Sequence, residues 1–152
     1  GKGDAKYDIV RLGLNARLDT LQAAILLAKL PHFAVEITAR ERVAEAYDAG
    51  LAGIIETPAR ISGTQSAWAQ YTILHDSRDA LASALRDRGV PSMIYYPRPM
   101  HLQTAYAGFG AGGGSLPVAE SLSGRVLSLP MYPDLAPETA ERIITALRDA
   151  MN

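Results

Sequence analysis

Hydrophobic residues near the start of the chain recur at helical spacing. Between Leu18 and Leu30 apolar side chains occupy nearly every side of the predicted helix, and Asp19 stands where an N-cap or a favourable charge is expected. A helix that is apolar all round needs cover on more than one face. We therefore predict that this helix is buried, and that the small sheet predicted for the rest of the chain cannot cover it alone.

A second, more amphipathic helix is predicted after Pro31. Its apolar positions run over 33–51, its opposite face carries charged residues, and Gly50 and Gly53 indicate its end. The two helices define a first segment, residues 1–52, for which we expect interdomain or dimer contacts, because a large exposed apolar face on a monomer usually indicates an interface.

The second segment, residues 53–152, alternates short strands with helices. Strands are predicted where aromatic and β-branched residues cluster, at 68–74, 93–96 and 126–129. Helical patterns are predicted at 78–88, 100–106, 116–122, where Pro117 suits the first turn, and from Pro137 onward. The apolar residues that line one face of the last helix are Ala140, Ile143, Ile144 and Leu147. The fold class is therefore α+β: a small C-terminal domain with a short, mainly antiparallel sheet and helices, preceded by two long connecting helices.

The composition is that of an ordinary soluble globular protein. The 152 residues are 48% hydrophobic and 20% charged, with a net charge of −1 and no cysteine. The lack of cysteine excludes disulfides, thiolate metal sites and a thiol nucleophile, and the small net charge gives no broad attraction for nucleic acid or anionic membranes. No run of eighteen apolar residues and no signal peptide are evident, so we expect a cytoplasmic protein without membrane or nucleic-acid partners.

Two familiar kinds of site are not indicated. The glycine-rich stretch at 108–114 follows no hydrophobic strand and carries no Lys-Ser or Lys-Thr pair, which favours a mobile surface loop over a phosphate-binding loop. The histidines, His32, His75 and His101, lack the spacing that places two ligands on one helix face. We therefore predict no metal site.

Two segments carry groups suited to a phosphate or to a hydroxylated ring. Asn15 and Arg17 point to the same side if their segment is extended, where an amide and a guanidinium could hold an anion. Entry into the first helix, with Asn15 bonding locally, is the alternative role. His101 follows Tyr95 and Tyr96 in a segment dense with amphipathic side chains, for which packing alone is the alternative.

Several stretches resemble, in order, the signature of the DegT/DnrJ/EryC1/StrS family of sugar aminotransferases, which use pyridoxal phosphate. The first stretch reads Gly-Leu-Asn-Ala-Arg-Leu-Asp-Thr-Leu-Gln-Ala-Ala-Ile-Leu at 13–26, followed by Lys29 and Leu30. The others lie at 66–71, 95–103, 117–120 and 126–131. The resemblance spans nearly the whole chain and implies the C-terminal portion of a fold type I enzyme, with the large cofactor domain upstream.

The resemblance also implies a reaction and a set of contacts. Such enzymes move an amino group from an amino acid such as glutamate to a keto-sugar linked to a nucleotide. Asn15 would reach the phosphate of pyridoxal phosphate in the neighbouring subunit, and a homodimer would form through the N-terminal helices. Substrate contacts would come from Arg17, Tyr95, Tyr96 and His101.

No catalytic residue is expected within this chain. Its lysines, Lys2, Lys6 and Lys29, do not match the active-lysine motif of the family, so the chain alone should bind pyridoxal phosphate weakly or not at all and be inactive. Two other readings stay open. One is a non-catalytic binding or assembly module with the same small-domain fold, and the other is a sugar dehydratase relative in which histidine replaces the active lysine.

Overall fold

The alternation of helical and strand patterns produces a mixed structure in the computed structural model, which describes residues 1–151. Within these residues there are five α-helices and one two-stranded sheet. In chain order the elements are α1 Thr20–Lys29, α2 Phe33–Leu51, β1 Tyr71–Leu74, α3 Arg78–Asp87, α4 Pro117–Arg125, β2 Val126–Leu129 and α5 Pro137–Met151. Single 3-10 turns lie at Leu30–His32, Met100–Leu102 and Thr104–Tyr106.

The sheet is antiparallel, as predicted. β1 pairs with β2 so that Tyr71 lies opposite Leu129 and Leu74 opposite Val126. Isolated bridges widen it on both sides, because Glu56 pairs with Leu74 and Met93 pairs with Ser128.

The core lies between the sheet and helices α2, α3 and α5. The buried residues of β1 alternate along the strand, as expected where one face of a sheet is covered. In α5 the predicted apolar stripe is buried in full, at Ala140, Ile143, Ile144 and Leu147. The core also receives Val43, Ala44, Tyr47 and Leu51 from α2, so residues on both sides of the predicted boundary at 52 contribute to it. The division into two domains stays a prediction.

Gly50 lies inside α2, where the sequence indicated the end of the helix. A Cβ at this position would stand 2.7 Å from Cδ1 and 2.8 Å from Cγ2 of Ile144, so the absence of a side chain allows α2 to approach α5. The helix ends shortly after Leu51, and Gly53 then takes a φ of +72°.

Two of the predicted strands are wrong in extent. The strand predicted at 93–96 contributes only the bridge at Met93, because Tyr96 adopts a left-handed φ of +56° and Pro97 has no amide hydrogen to donate. The strand predicted from Trp68 begins at Tyr71, since Trp68 has a φ of +44°. The helical patch predicted at 100–106 forms two 3-10 turns.

The first helix is exposed in this chain, in agreement with the expectation that the small sheet cannot cover it alone. α1 has no buried residue, and its large apolar side chains are at least half exposed. The physical reason is that the small sheet is already covered by α2, α3 and α5, as the sequence analysis anticipated in part, and no other described element lies over α1. Burial of α1 by another part of the protein stays a prediction.

One helical segment meets the length and composition criterion for a membrane span. Because the 3-10 turn accommodates Pro31, Thr20–Leu51 forms a nearly continuous helix with an 18-residue window of mean hydropathy 1.2. By length and composition alone it could cross a membrane, although core helices of soluble proteins meet the same criterion. No part of that window is buried in this structure.

Candidate functional site

Asn15 and Arg17 lie in an exposed segment without regular secondary structure just before α1. Within residues 1–151, neither side chain makes a hydrogen bond or an ion pair. The entry to α1 is built by other groups: Gln22 accepts from the amide of Leu18 (2.9 Å) and donates its own amide to Asp19 (2.8 Å). Asp19 is thus the predicted N-cap. The local bonding that was the alternative role of Asn15 is absent from this geometry.

The other three candidate residues meet at one cavity. Tyr95, Tyr96 and His101 line an open, mostly apolar depression of about 520 Å³ between the 95–101 segment and α4. Its remaining walls include Met100, Leu116 and Leu122. Aromatic and aliphatic walls with few polar groups are typical of pockets that hold a flat ring.

The position of the His101 ring is fixed by Glu120 of α4. His101 Nε2 lies 2.9 Å from Glu120 Oε1, and the imidazole side chain is only 10% exposed. The same carboxylate accepts from the amides of Gly114 (2.9 Å) and Leu116 (3.3 Å). These amide bonds, with a further contribution from His101, hold the pKa of Glu120 below its usual range.

Glu120 is a site-associated residue that the sequence analysis did not single out. It lay inside a family-like stretch, and an acidic side chain in the first turn of a helix was the only local signal. Its contact with His101 spans 19 residues of chain and could not be read from spacing.

Strained backbone occurs in the stretches that contain or adjoin the candidate site residues and in the 66–71 stretch. Among residues 1–151, three non-glycine residues have positive φ: Leu18 (67°), Trp68 (44°) and Tyr96 (56°). Each lies in a stretch that resembles the family signature. Left-handed backbone costs such residues about 1 to 2 kcal/mol and persists where the surroundings impose it, often at functional sites.

A second polar network holds the loop after α2 and was also missed. Glu41 and Asp48 stand two turns apart on α2, and both accept hydrogen bonds from Arg60, Asp48 at 2.6 Å. Trp68 Nε1 donates to Glu41 (2.6 Å), and the Tyr71 hydroxyl donates to Asp48 (2.5 Å). Bonding to Arg60 lowers the pKa of Glu41, and burial raises the pKa of Tyr71. The network thus joins the loop after α2, and the first residue of β1, to one side of α2.

The three lysines of the chain lie away from the aromatic cavity. Lys2, Lys6 and Lys29 are exposed, and none of them lines the cavity of Tyr95, Tyr96 and His101. Lys6 instead lies 5.1 Å from the centre of the Tyr7 ring. In the part of the chain that the structure describes, no cluster of metal-ligating residues occurs.

Comparisons with known proteins extend over the same stretches. The erythromycin biosynthesis sensory transduction protein EryC1 of Saccharopolyspora erythraea is 44% identical over 90% of this chain and 38% of its own length. The UDP-2-acetamido-2-deoxy-3-oxo-D-glucuronate aminotransferase of Pseudomonas aeruginosa is 42% identical over 95% of this chain and 40% of its own. The crystal structure of DesV from S. venezuelae in complex with a ketimine intermediate superposes with a TM-score of 0.85 at 39% identity, over 99% of this chain and 41% of that one.

The chain therefore spans about 40% of the length of the relatives it matches. The range matched by the family includes the three residues with positive φ and the 95–103 segment that carries the aromatic cavity. Residues 1–148 match the DegT/DnrJ/EryC1/StrS aminotransferase family as a whole, and the chain belongs to that family.

Proposed function

We propose that the protein containing this chain is a pyridoxal-phosphate-dependent aminotransferase of fold type I that acts on a nucleotide-linked keto-sugar. The chain would supply part of the substrate site, a contact to the cofactor phosphate and dimer contacts. The observation that carries the proposal is the family match over residues 1–148, together with 42% identity to an aminotransferase named for a UDP-linked 3-oxo sugar. The amino group would come from an amino acid such as glutamate.

In this proposal Asn15 binds the cofactor phosphate and Arg17 binds the nucleotide sugar. Both side chains are exposed and unused by the fold, as groups that meet an external ligand must be. An amide donor suits one phosphate oxygen, whereas a guanidinium can bind an anion through two parallel hydrogen bonds. Pyridoxal phosphate would supply the carbonyl carbon that carries the amino group, and a lysine outside this chain would hold it.

Tyr95, Tyr96 and His101 would form the sugar-nucleotide side of the pocket. Tyr96 is 69% exposed at the cavity rim, which suits contact with a flat ring. The His101 ring is held by Glu120, so its remaining surface has a fixed direction toward a ligand. The low exposure of His101 limits that contact to the cavity side.

We further propose a homodimer that covers α1, in a cytoplasmic protein. Leu21 is 73% exposed and Leu27 is 70% exposed, and burying such side chains contributes about 1.5 to 3 kcal/mol each. Light scattering on the full-length protein and on its Leu21→Glu, Leu27→Glu variant tests this. We expect a dimer for the parent and a monomer for the variant. A dimer in both would contradict the proposed contact.

A second candidate is a non-catalytic module with the same fold. It is favoured by the name of the 44% identical relative, which describes sensory transduction. A sugar dehydratase relative is a third possibility, since the residue that separates the two chemistries lies outside this chain.

The decisive experiment supplies the full-length protein with pyridoxal phosphate, glutamate and the UDP-linked 3-oxo sugar named for the Pseudomonas relative. Formation of 2-oxoglutarate and an amino sugar is expected. Asn15→Ala should weaken retention of the cofactor by about 1.5 to 3 kcal/mol, as for hydrogen bonds to charged groups. Arg17→Lys should mainly raise KM for the sugar nucleotide. No amino transfer, or melting-temperature losses in both variants with unchanged affinities, would contradict the proposal.

A further inference from the structure

Gln103 is a buried amide whose oxygen and nitrogen are both in use. The residue is 3% exposed. Its Oε1 accepts from the amide of Ile9 (3.0 Å), and its Nε2 donates to the carbonyls of Tyr7 (3.0 Å) and Arg98 (3.1 Å). A buried amide is costly unless it is bonded, so these partners hold one another in place.

The three bonds join two stretches that are distant in sequence. Ile9 and Tyr7 are separated from Gln103 by 94 and 96 residues, whereas Arg98 precedes it by five. The N-terminal stretch is itself folded back, with a bridge between Lys2 and Ile9. Gln103 therefore holds a stretch that already has its own internal backbone pairing.

Two further contacts lie along the same seam. The amide of Ala105 donates to the carbonyl of Ile9 (2.9 Å). The ring of Tyr7 meets that of Tyr96 edge-on, with centroids 5.8 Å apart and planes at 60°. The Tyr96 side of the candidate pocket is thus in direct contact with the N-terminal stretch.

We propose that Gln103 is a positioning residue that fixes the stretch preceding Asn15 and Arg17 against the segment that carries Tyr95, Tyr96 and His101. The Gln103 side chain is buried between the two stretches and acts through the residues that it bonds. The inference rests on the proposed function, because it matters for binding only if those residues share a ligand.

The lack of cysteine makes a direct measurement possible. Spin labels at Ala5→Cys in the N-terminal stretch and Ala80→Cys on α3, both exposed positions, report the distance between the two parts of the 152-residue chain. Gln103→Met keeps the approximate volume but removes all three bonds. Gln103→Glu keeps the acceptor oxygen. It replaces the donor nitrogen with a second oxygen, which cannot donate to the carbonyls of Tyr7 and Arg98. Gln65→Met, at an exposed position, is the matched control.

We expect a narrow distance distribution in the parent and the control, and at least about a twofold broadening in both Gln103 variants, because loss of local anchoring releases a stretch without unfolding the core. Equal widths of the distance distribution in parent and variants, whether narrow or broad, would overturn the proposal.

Should a variant fail to fold, amide hydrogen exchange in the parent decides. Ile9 should then exchange at least about tenfold more slowly than exposed Leu14, and comparable rates would refute the anchor.

Kinetics of the full-length protein separate positioning from mere stability. Gln103→Met should raise KM for the UDP-linked 3-oxo sugar by at least about fivefold while kcat changes less than about twofold, as expected when binding groups are misplaced. A lowered melting temperature with unchanged KM would assign Gln103 a structural role only. If the parent transfers no amino group, the proposed function fails, and the spin-label distances still decide whether Gln103 fixes the two stretches.

Discussion

Residues 1–38 and residues 39–151 use hydrophobic side chains in opposite ways. None of the first 38 residues is buried, although they include α1, which is more apolar than α5. α5 places its apolar residues on one stripe and buries that stripe completely. A one-sided stripe matches the single covered face of a small sheet, whereas an all-round apolar helix requires partners that this portion of the protein does not contain. Hydrophobicity therefore predicted that α1 needs cover, but not where the cover lies.

The largest expected difference comes from matched leucines in the two regions. Leu85 of α3 is fully buried, whereas Leu27 of α1 is 70% exposed. In the isolated chain Leu85→Ala should lower the free energy of unfolding by about 2 to 5 kcal/mol, from lost burial and a cavity. Leu27→Ala should change it by less than about 0.5 kcal/mol. Urea unfolding measures both, and a similar cost at the two positions would show that α1 is packed in solution.

Arginines provide the next contrast. Arg78 is buried at the start of α3 and donates to the carbonyls of Ser123 (3.0 Å) and Val126 (3.2 Å), where α4 meets β2. Arg78→Met should cost about 1 to 3 kcal/mol, because buried carbonyls lose a charged donor. Arg17→Met should leave the thermal unfolding of the chain unchanged, since its side chain is exposed. A comparable loss at Arg17 would instead support a role in shaping the entry to α1.

Sequence predicted those features that are set by near neighbours. Asp19 is the N-cap of α1, Pro117 lies in the first turn of α4, and the stripe of α5 is buried, because capping, fixed φ and helical periodicity act within a few residues. The same reasoning failed at Trp68 and Tyr96, whose aromatic character favours a strand but whose left-handed backbone does not fit one.

The arrangement of the site depends on contacts between distant residues. The sequence nominated Tyr95, Tyr96 and His101 through their density in one segment, and they do line one cavity. The sequence provided no reason to pair His101 with Glu120, or Gln103 with Tyr7 and Ile9. These polar partners are 19 to 96 residues apart, and contacts at such distances produce no periodic pattern in the sequence.

Two glycines show the same contrast between the regions, with a smaller expected effect on stability. A Cβ at Gly50 would come within 3 Å of Ile144, whereas one at Gly13 would meet only the backbone nitrogen of Gly1, at 3.5 Å. Gly50→Ala should destabilise the chain by up to about 2 kcal/mol, since overpacking of about 1 to 3 kcal/mol exceeds the gain in helix propensity of about 1 kcal/mol. Gly13→Ala should be nearly neutral in the same unfolding measurement. A stabilised Gly50→Ala variant would mean that α5 shifts readily.

The last prediction is a small loss of folding stability in acid. The carboxylate of Glu41, in the buried half of α2, is bonded to Arg60 and to Trp68, and these bonds lower its pKa in the folded state. Glu36, in the exposed half of the same helix, makes no ion pair within residues 1–151. Exposed or partly exposed ion pairs contribute at most about 1 kcal/mol, and Arg60 is 42% exposed.

The sign of the pH dependence follows from that lowered pKa. The unfolded chain binds the proton more readily, so the contribution of Glu41 to stability is fully present above the ordinary glutamate pKa of about 4.3 and is lost as the pH falls through the lower folded-state value. Glu41→Gln should therefore be less stable than the parent at pH 7, and the two should converge in acid. Glu36→Gln should show neither effect. The free energy of unfolding, measured at pH 7 and at stepwise lower pH, tests this. A difference between Glu41→Gln and the parent that stays constant at every pH would mean that lost packing separates the two proteins, and not the charge that Arg60 binds.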